Sequence, residues 1–131
     1  MRNWLDRAKQ LFKNATCSGN PAVFKFKNGS KIYTGHLSQE NSFEVYQGWE
    51  IHRLLIEELG QIPLEENYLR LLSSVRSTTT IKPQVFLTCN PGGAGHQWIK
   101  KRFKINVKKS NVAFRDEISG RKRIYIPATI D

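Results

Sequence analysis

Two places in the chain join an apolar run to side chains that can do chemistry. The first is "RLLIEE" (53–58), where Arg53-Leu54-Leu55-Ile56 stops on the adjacent carboxylates Glu57 and Glu58. The second is "VFLTCNPGGAGH" (85–96), where the apolar run passes into Thr88, Cys89, Asn90 and Pro91 and then Gly92, Gly93 and Gly95. Adjacent acids at the end of a buried strand are costly unless something compensates them, and Mg²⁺ does so in phosphoryl transfer. In that chemistry one acid associates with the metal, usually through water, while the other orients and deprotonates the attacking water. Strand side chains alternate in direction, so Glu57 and Glu58 leave the strand differently and are free to do different jobs. A threonine and an asparagine at a neighbouring strand tip can hydrogen-bond to a γ-phosphate. Pro91 and the glycines are expected to let the following loop move when that phosphate leaves. The plainer reading is that the acids are solvated and simply open a loop.

For these groups to converge, the two runs must lie side by side as parallel strands, because ligands collect beyond the C-terminal ends of such strands. The intervening residues supply a crossover. "GQIP" breaks the chain, with Pro63 placed at or just before a helix start. From Leu64 onward, Leu64, Tyr68, Leu71, Leu72 and Val75 recur at the spacing of one helical face. Glu65 and Glu66 fall in the first turn and Arg76 in the last, as the helix dipole favours. "STTTIKP" is a loop. Strand, helix and strand therefore occupy 51–88, the pattern of a parallel βαβ unit, with a metal-and-acid strand at 51–58 and a second site strand at 84–91.

The flanks read as follows. "MRNWLDRAKQLF" is an amphipathic helix with Trp4, Leu5, Ala8, Leu11 and Phe12 on one face. "CSGNP" (17–21) is a loop, and Asn28-Gly29 joins two alternating runs into a hairpin over about 22–37. Residues 38–50 are irregular. A brief helix is expected around Gln97–Phe103, and the basic tail forms two strands joined around Ser119-Gly120. The fold class is α/β: a parallel βαβ core with an antiparallel hairpin at one side.

At 131 residues the chain has room for one domain with a real core. The net charge of +10 implies a field that attracts polyanions, nucleic acid first. Acids gather between Glu40 and Glu66, while "KKRFKINVKK" (100–109) and "RDEISGRKR" (115–123) crowd the cations. Such runs suit either a solvated face or a polyanion-facing surface. Cys17 and Cys89 make no disulfide framework, and His36, His52 and His96 show no ligand spacing with them, so no zinc site is expected. The N-terminus lacks the h-region of a signal peptide and no apolar run is long enough to span a membrane, so a soluble, cytoplasmic protein is expected.

With those residues set out, nearly the whole chain, about 20–127, resembles the large subunit of the tailed-phage terminase, the DNA-packaging motor. "FKFKNGSKIYTGHL" is similar to a hairpin segment of its ATPase domain. "YQGWEIHRLLIEELGQIP" resembles the region of its Walker B acids, and "YLRLLSSVRS" the helix that follows. "LTCNPGGAGHQWIKKRF" is similar to the family's T-x-NPGG-x-GH-x-W-x-K-x-RF. The resemblance implies that Glu57 is the Mg²⁺-associated acid and Glu58 the catalytic glutamate. It implies that Thr88, Asn90 and Pro91 belong to the motif coupling hydrolysis to movement. Arg76, closing "SVRS", has either a nucleotide- or DNA-linked role or the bland one of a helix-end cation satisfying the last carbonyls. For His96 and Trp98 the alternative is packing of loop and short helix, which is favoured for Trp98.

Two departures stand out. The family usually has Asp at the position of Glu57, and the extra methylene moves the carboxylate about 1.5 Å. No Gly-Lys pair occurs, so the chain contains no G-x-x-x-x-G-K-[ST] phosphate-binding loop. The family carries that loop upstream of the matched segments and its nuclease domain downstream. The chain is therefore expected to be an incomplete domain, part of a P-loop-type ATPase sheet, and inactive alone. The intact parent is expected to use ATP and Mg²⁺, neither held tightly by this chain. Its implied partners are double-stranded DNA, portal and the small terminase subunit, in the bacterial host cytoplasm; an open sheet edge also suggests a homodimer of the fragment. The competing reading is a small stand-alone basic nucleic-acid-binding protein with Glu57 and Glu58 as surface acids, for which salt-sensitive DNA binding is the signature. A nuclease is disfavoured because no carboxylate cluster remains once Glu57 and Glu58 are assigned.

Overall fold

The computed structural model describes residues 2–37 and 40–128. They fall into two compact units, Met1–Gln39 and Glu40–Asp131.

The first unit is built around Phe24, which is fully buried. Helix α1 (Arg2–Leu11) lays its apolar stripe on that ring: Ala8 is buried, and Trp4 and Phe12 meet Phe24 edge-on at 6.2 and 5.7 Å. Strands β1 (Ala15–Ser18), β2 (Val23–Phe26) and β3 (Lys31–Tyr33) form an antiparallel sheet in that order. The hairpin between β2 and β3 turns where Asn28-Gly29 indicated, with the Ser30 amide donating to Asn28 Oδ1 at 3.0 Å. Cys17 and Ser18 are not loop: they belong to β1, paired with Phe24 and Val23. Their alternation is real, with Ala15 and Cys17 half-buried and Thr16 and Ser18 exposed, but such small side chains give it almost no hydropathic contrast.

In the second unit, β4 (Arg53–Ile56), α2 (Glu65–Leu72) and β5 (Gln84–Leu87) form strand, helix and strand. The strands pair in parallel, Arg53 opposite Gln84 through Ile56 opposite Leu87, and a bridge between Ile51 and Val75 lies before them. The described residues are thus mixed α/β, with three helices, small sheets and one parallel pair. Ile56, Leu59, Ile62, Tyr68, Leu71, Val75 and Ile99 are buried together with Phe43. Phe43 belongs to a 3-10 turn, Glu40–Tyr46, in a stretch expected to be irregular; its apolar residues, Phe43, Val45 and Tyr46, fall within four positions, too short a run for a periodic signal. Helix α2 stops at Leu72, short of Arg76, because Ser73 and Ser74 turn the chain toward the Val75 bridge, with Ser74 Oγ donating to the Tyr46 carbonyl at 2.6 Å. The cation of its last turn is Arg70, paired with Glu66 at 3.2 Å. Helix α3 (His96–Arg102) begins one residue before the expected position. Among the described residues, no helix is long and apolar enough to cross a membrane.

The tail hairpin pairs β6 (Phe114–Arg115) with β7 (Lys122–Arg123). Its turn is held by Asp116, which accepts from the Ser119 amide and hydroxyl at 2.8 and 2.7 Å. Those bonds hold the Asp116 carboxyl below its ordinary range, with Arg123 adding to the effect and desolvation opposing it. A depressed carboxyl contributes stability above its unfolded pKa of about 3.9 and loses it as pH falls through the lower folded value. Amide exchange at Ser119, corrected for its intrinsic rate, is therefore expected to accelerate only below about pH 4.

Candidate functional site

The ladder between β4 and β5 continues past the strands themselves. The Thr88 amide donates to the Ile56 carbonyl at 3.0 Å, and the Leu59 amide donates to the Thr88 carbonyl at 2.9 Å. This puts Thr88 directly beside Glu57 and Glu58 at the C-terminal rim of the parallel pair. Alternation along both strands then sorts their side chains. Ile56 points into the core, whereas the register partners Leu55 and Phe86 stand on the open face, 71% and 66% exposed. Glu57 and Thr88 follow two residues later on that same side, and both are exposed.

Glu58 leaves differently. Its backbone is left-handed, φ 55° and ψ 54°, and opens a 3-10 turn over Leu59–Gln61. The cause lies in the next residue: Leu59 is only 1% exposed, so the chain must turn within one residue to bury it while Glu58 stays in water. The Glu58 amide lies 3.4 Å from Thr88 Oγ1. A left-handed non-glycine residue costs about 1–2 kcal/mol, and glycine's extra chain entropy costs about 0.5–1 kcal/mol. Glu58→Gly is accordingly expected to raise stability by about 0.5 kcal/mol in urea unfolding, although it removes a carboxylate from the corner.

The glycine-rich loop lies directly on the Leu59–Ile62 turn. Gly95 N donates to the Gly60 carbonyl at 2.8 Å. A Cβ on Gly93 would sit 2.8 Å from that same oxygen, and one on Gly60 would sit 3.1 Å from the Gly92 carbonyl. A Cβ on Gly95 would collide with the Ile62 carbonyl and lie 2.7 Å from Trp98 Nε1. Gly93 and Gly95 are thus points of close backbone contact, not points of looseness as the sequence suggested; at Gly92 nothing lies within 4 Å. Two side chains of α3 pin the arrangement. His96 Nδ1 accepts from the Gly92 amide at 3.0 Å, and Trp98 Nε1 donates to the Ile62 carbonyl at 2.8 Å. The Trp98 ring stacks on Tyr68 at 5.4 Å, the packing role expected for it.

Between the two turns lies a polar pocket of about 90 Å³ lined by Glu58, Gly60, Gln61, Asn90, Pro91, Gly92 and Gly93. Glu58 and Asn90 therefore share a cavity, and Glu57 and Thr88 adjoin it. Gln61 was not legible as a site residue: only the tight turn after Glu58 brings it round. Cys89 is exposed between Thr88 and Asn90, its thiol donating to the Asn90 carbonyl at 3.2 Å. Among the described residues no three or more His, Cys, Asp or Glu side chains gather as a metal cage.

Arg76 stands apart. Its Nε and Nη2 donate to the carbonyls of Trp49 and Gly48 at 3.3 and 3.0 Å, and its amide to Ile51 at 3.2 Å. That is the opposite end of β4, roughly 20 Å from Glu57 at the rise of an extended strand. It does not cap α2 either, since the helix has already ended. Arg76 instead ties the "YQGWE" segment to the start of the parallel pair.

Residues 6–115 match a family model described as "Terminase large subunit, T4likevirus-type, N-terminal". The chain belongs to the terminase large subunit family. The terminase match takes in both corners, α2 and α3, and ends at Arg115 within β6, leaving β7 outside it. No curated protein and no solved structure matches the chain.

Proposed function

We propose that the rim formed by Glu57, Glu58, Thr88 and Asn90 is the hydrolytic corner of a DNA-packaging ATPase, and that the parallel pair is part of a larger P-loop-type sheet. The observation that carries this reading is the continued ladder from Ile56 through Thr88 to Leu59, which fixes two acids of one strand against the polar tip of its neighbour. Glu57, on the open face beside Thr88, suits the Mg²⁺-associated role. Glu58, turned by its left-handed backbone into the pocket with Asn90, suits the orientation and deprotonation of water. Thr88 and Asn90 would sense the terminal phosphate by hydrogen bonding.

The donor set fits Mg²⁺ in a particular way. Two exposed carboxylates and a hydroxyl are hard oxygen donors but too few for an all-protein cage, and Mg²⁺ is commonly held by one or two carboxylates together with substrate phosphates. When bound, that ion would neutralise charge on the phosphates, while the chain's own task is to hold the acids and place the water. The exposed pair Leu55 and Phe86 argues the same way, since parallel sheets bury both faces and this one has only one covered. In a larger sheet of this kind a helix would cover that face, and further strands, with a phosphate-binding loop among their turns, would join along the edge.

Mn²⁺ in place of Mg²⁺ tests the assignment on the chain as it stands. Titrated with ADP present, it is expected to broaden the amide resonances of Glu57, Glu58 and Thr88 before any others. Broadening first in the acids of α2, Glu65 and Glu66, would rule the corner out as the metal site.

A further inference from the structure

On another side of the second unit, α2, the end of α3 and the tail hairpin enclose an open groove of about 590 Å³. This is within the size range of sites that bury most of a small ligand. Its walls are fastened to one another. Arg102 of α3 pairs with Glu65 of α2 at 3.1 Å, Arg123 of β7 pairs with Asp116 at 3.3 Å, and Arg123 also donates to the Arg102 carbonyl at 3.0 Å. Both carboxylates in the lining are therefore already matched to an arginine. Lys101, Lys104 and Arg121 also line the groove, and none has a carboxylate partner among the described residues. Burial is the main cause lowering the proton affinity of Arg123, with the adjacent Arg102 adding to it and Asp116 opposing it.

The rest of the lining sets the aliphatic side chains of Leu69, Leu72 and Ile118 beside Ser73 and Ser119. Leu69 is 43% exposed, and Ile118, at the hairpin turn, is 98% exposed. A turn favours Gly, Asn, Asp or Ser, so a bare isoleucine there has no local reason. Duplex phosphates would use the cations and gain nothing from Leu69 and Ile118. A peptide carrying an aliphatic side chain between carboxylates uses both.

We propose that this groove is a docking site for a partner protein's acidic segment, with one aliphatic side chain seated between Leu69 and Ile118 and flanking carboxylates on Lys101, Lys104 and Arg121. The proposal is independent of the hydrolytic corner, which lies on other loops, and holds or fails without it.

The probe is a fluorescein-labelled peptide with a central leucine flanked on each side by Asp and Glu, read by anisotropy on the whole chain. It is expected to bind, and changing its leucine to serine to weaken binding about tenfold. Ile118→Ser, which alters a fully exposed side chain and so leaves folding alone, should cost about as much. The double variant Lys101→Glu, Lys104→Glu should weaken binding by more than tenfold, whereas Lys25→Glu, Lys27→Glu, of equal charge change in the first unit, should leave it unchanged. Three results would overturn the proposal: no binding; equal binding of the leucine and serine peptides, or no response to Ile118→Ser; or equal loss in the two charge-reversed variants. Preferential binding of a short DNA duplex, insensitive to Ile118→Ser, would assign the groove to phosphate instead.

Discussion

Gly95→Ala is expected to destabilise the Glu40–Asp131 unit by about 2–3 kcal/mol, a fall of roughly 10–15 °C in its thermal midpoint. The backbone at Gly95 is ordinary, φ −93°, so alanine meets no conformational penalty there. The cost arises wholly from what the new methyl would strike: the Ile62 carbonyl and Trp98 Nε1, two groups bonded to each other at 2.8 Å. Relief requires breaking that bond or lifting Gly95 from Gly60, and both options separate the glycine-rich loop from the turn after Glu58. Gly92→Ala is the matched comparison. Its methyl enters open space, and only the left-handed backbone, φ 89°, opposes it, at about 1–2 kcal/mol. Urea unfolding of the two variants should therefore rank Gly95→Ala clearly below Gly92→Ala. The reverse order would mean that the two loops do not touch as described.

The second large effect concerns rate instead of stability. In a protein that joins this segment to a phosphate-binding loop, Glu58→Gln is expected to lower ATP turnover by about 10²–10⁴-fold, the usual worth of a positioned general base. Glu58 is exposed and glutamine nearly isosteric, so unfolding free energy should change by less than about 0.5 kcal/mol. Loss of turnover without loss of fold separates a chemical role from a structural one. The present chain contains no such loop, so the amides and lysine that would anchor the phosphates are missing, and we expect its own turnover to be negligible. Measurable hydrolysis by the purified chain, abolished by Glu58→Gln, would refute that expectation.

The fold was legible wherever the sequence carries periodicity or a turn with one solution. The βαβ pattern, the Asn28-Gly29 hairpin and the strands around Ser119-Gly120 were all readable, because large apolar residues and glycines mark their limits. Strand β1 was not, since Ala15-Thr16-Cys17-Ser18 alternates in burial without alternating much in hydropathy. The end of α2 was misread for a related reason. Val75 continues the helical spacing but takes its place through a bridge to Ile51, a tertiary contact that no local pattern announces. Arg76 was misplaced with it. At the site, the convergence of Glu57, Glu58 and Thr88 followed from strand order alone. The purpose of the glycines did not, because close approach depends on the facing turn, Gly60 to Ile62, and spacing within one segment cannot reveal it.

The parallel pairing has a consequence for how the protein is made. β4 leaves the ribosome before β5, and its rim gains hydrogen bonds only when Thr88 has arrived and Gly95 has settled on Gly60. A nascent chain stalled before Gln84 therefore carries an unpaired strand whose Ile56 carbonyl and Leu59 amide lack their Thr88 partners, a state that offers surface to chaperones and proteases. Synthesis through α3 is what closes it.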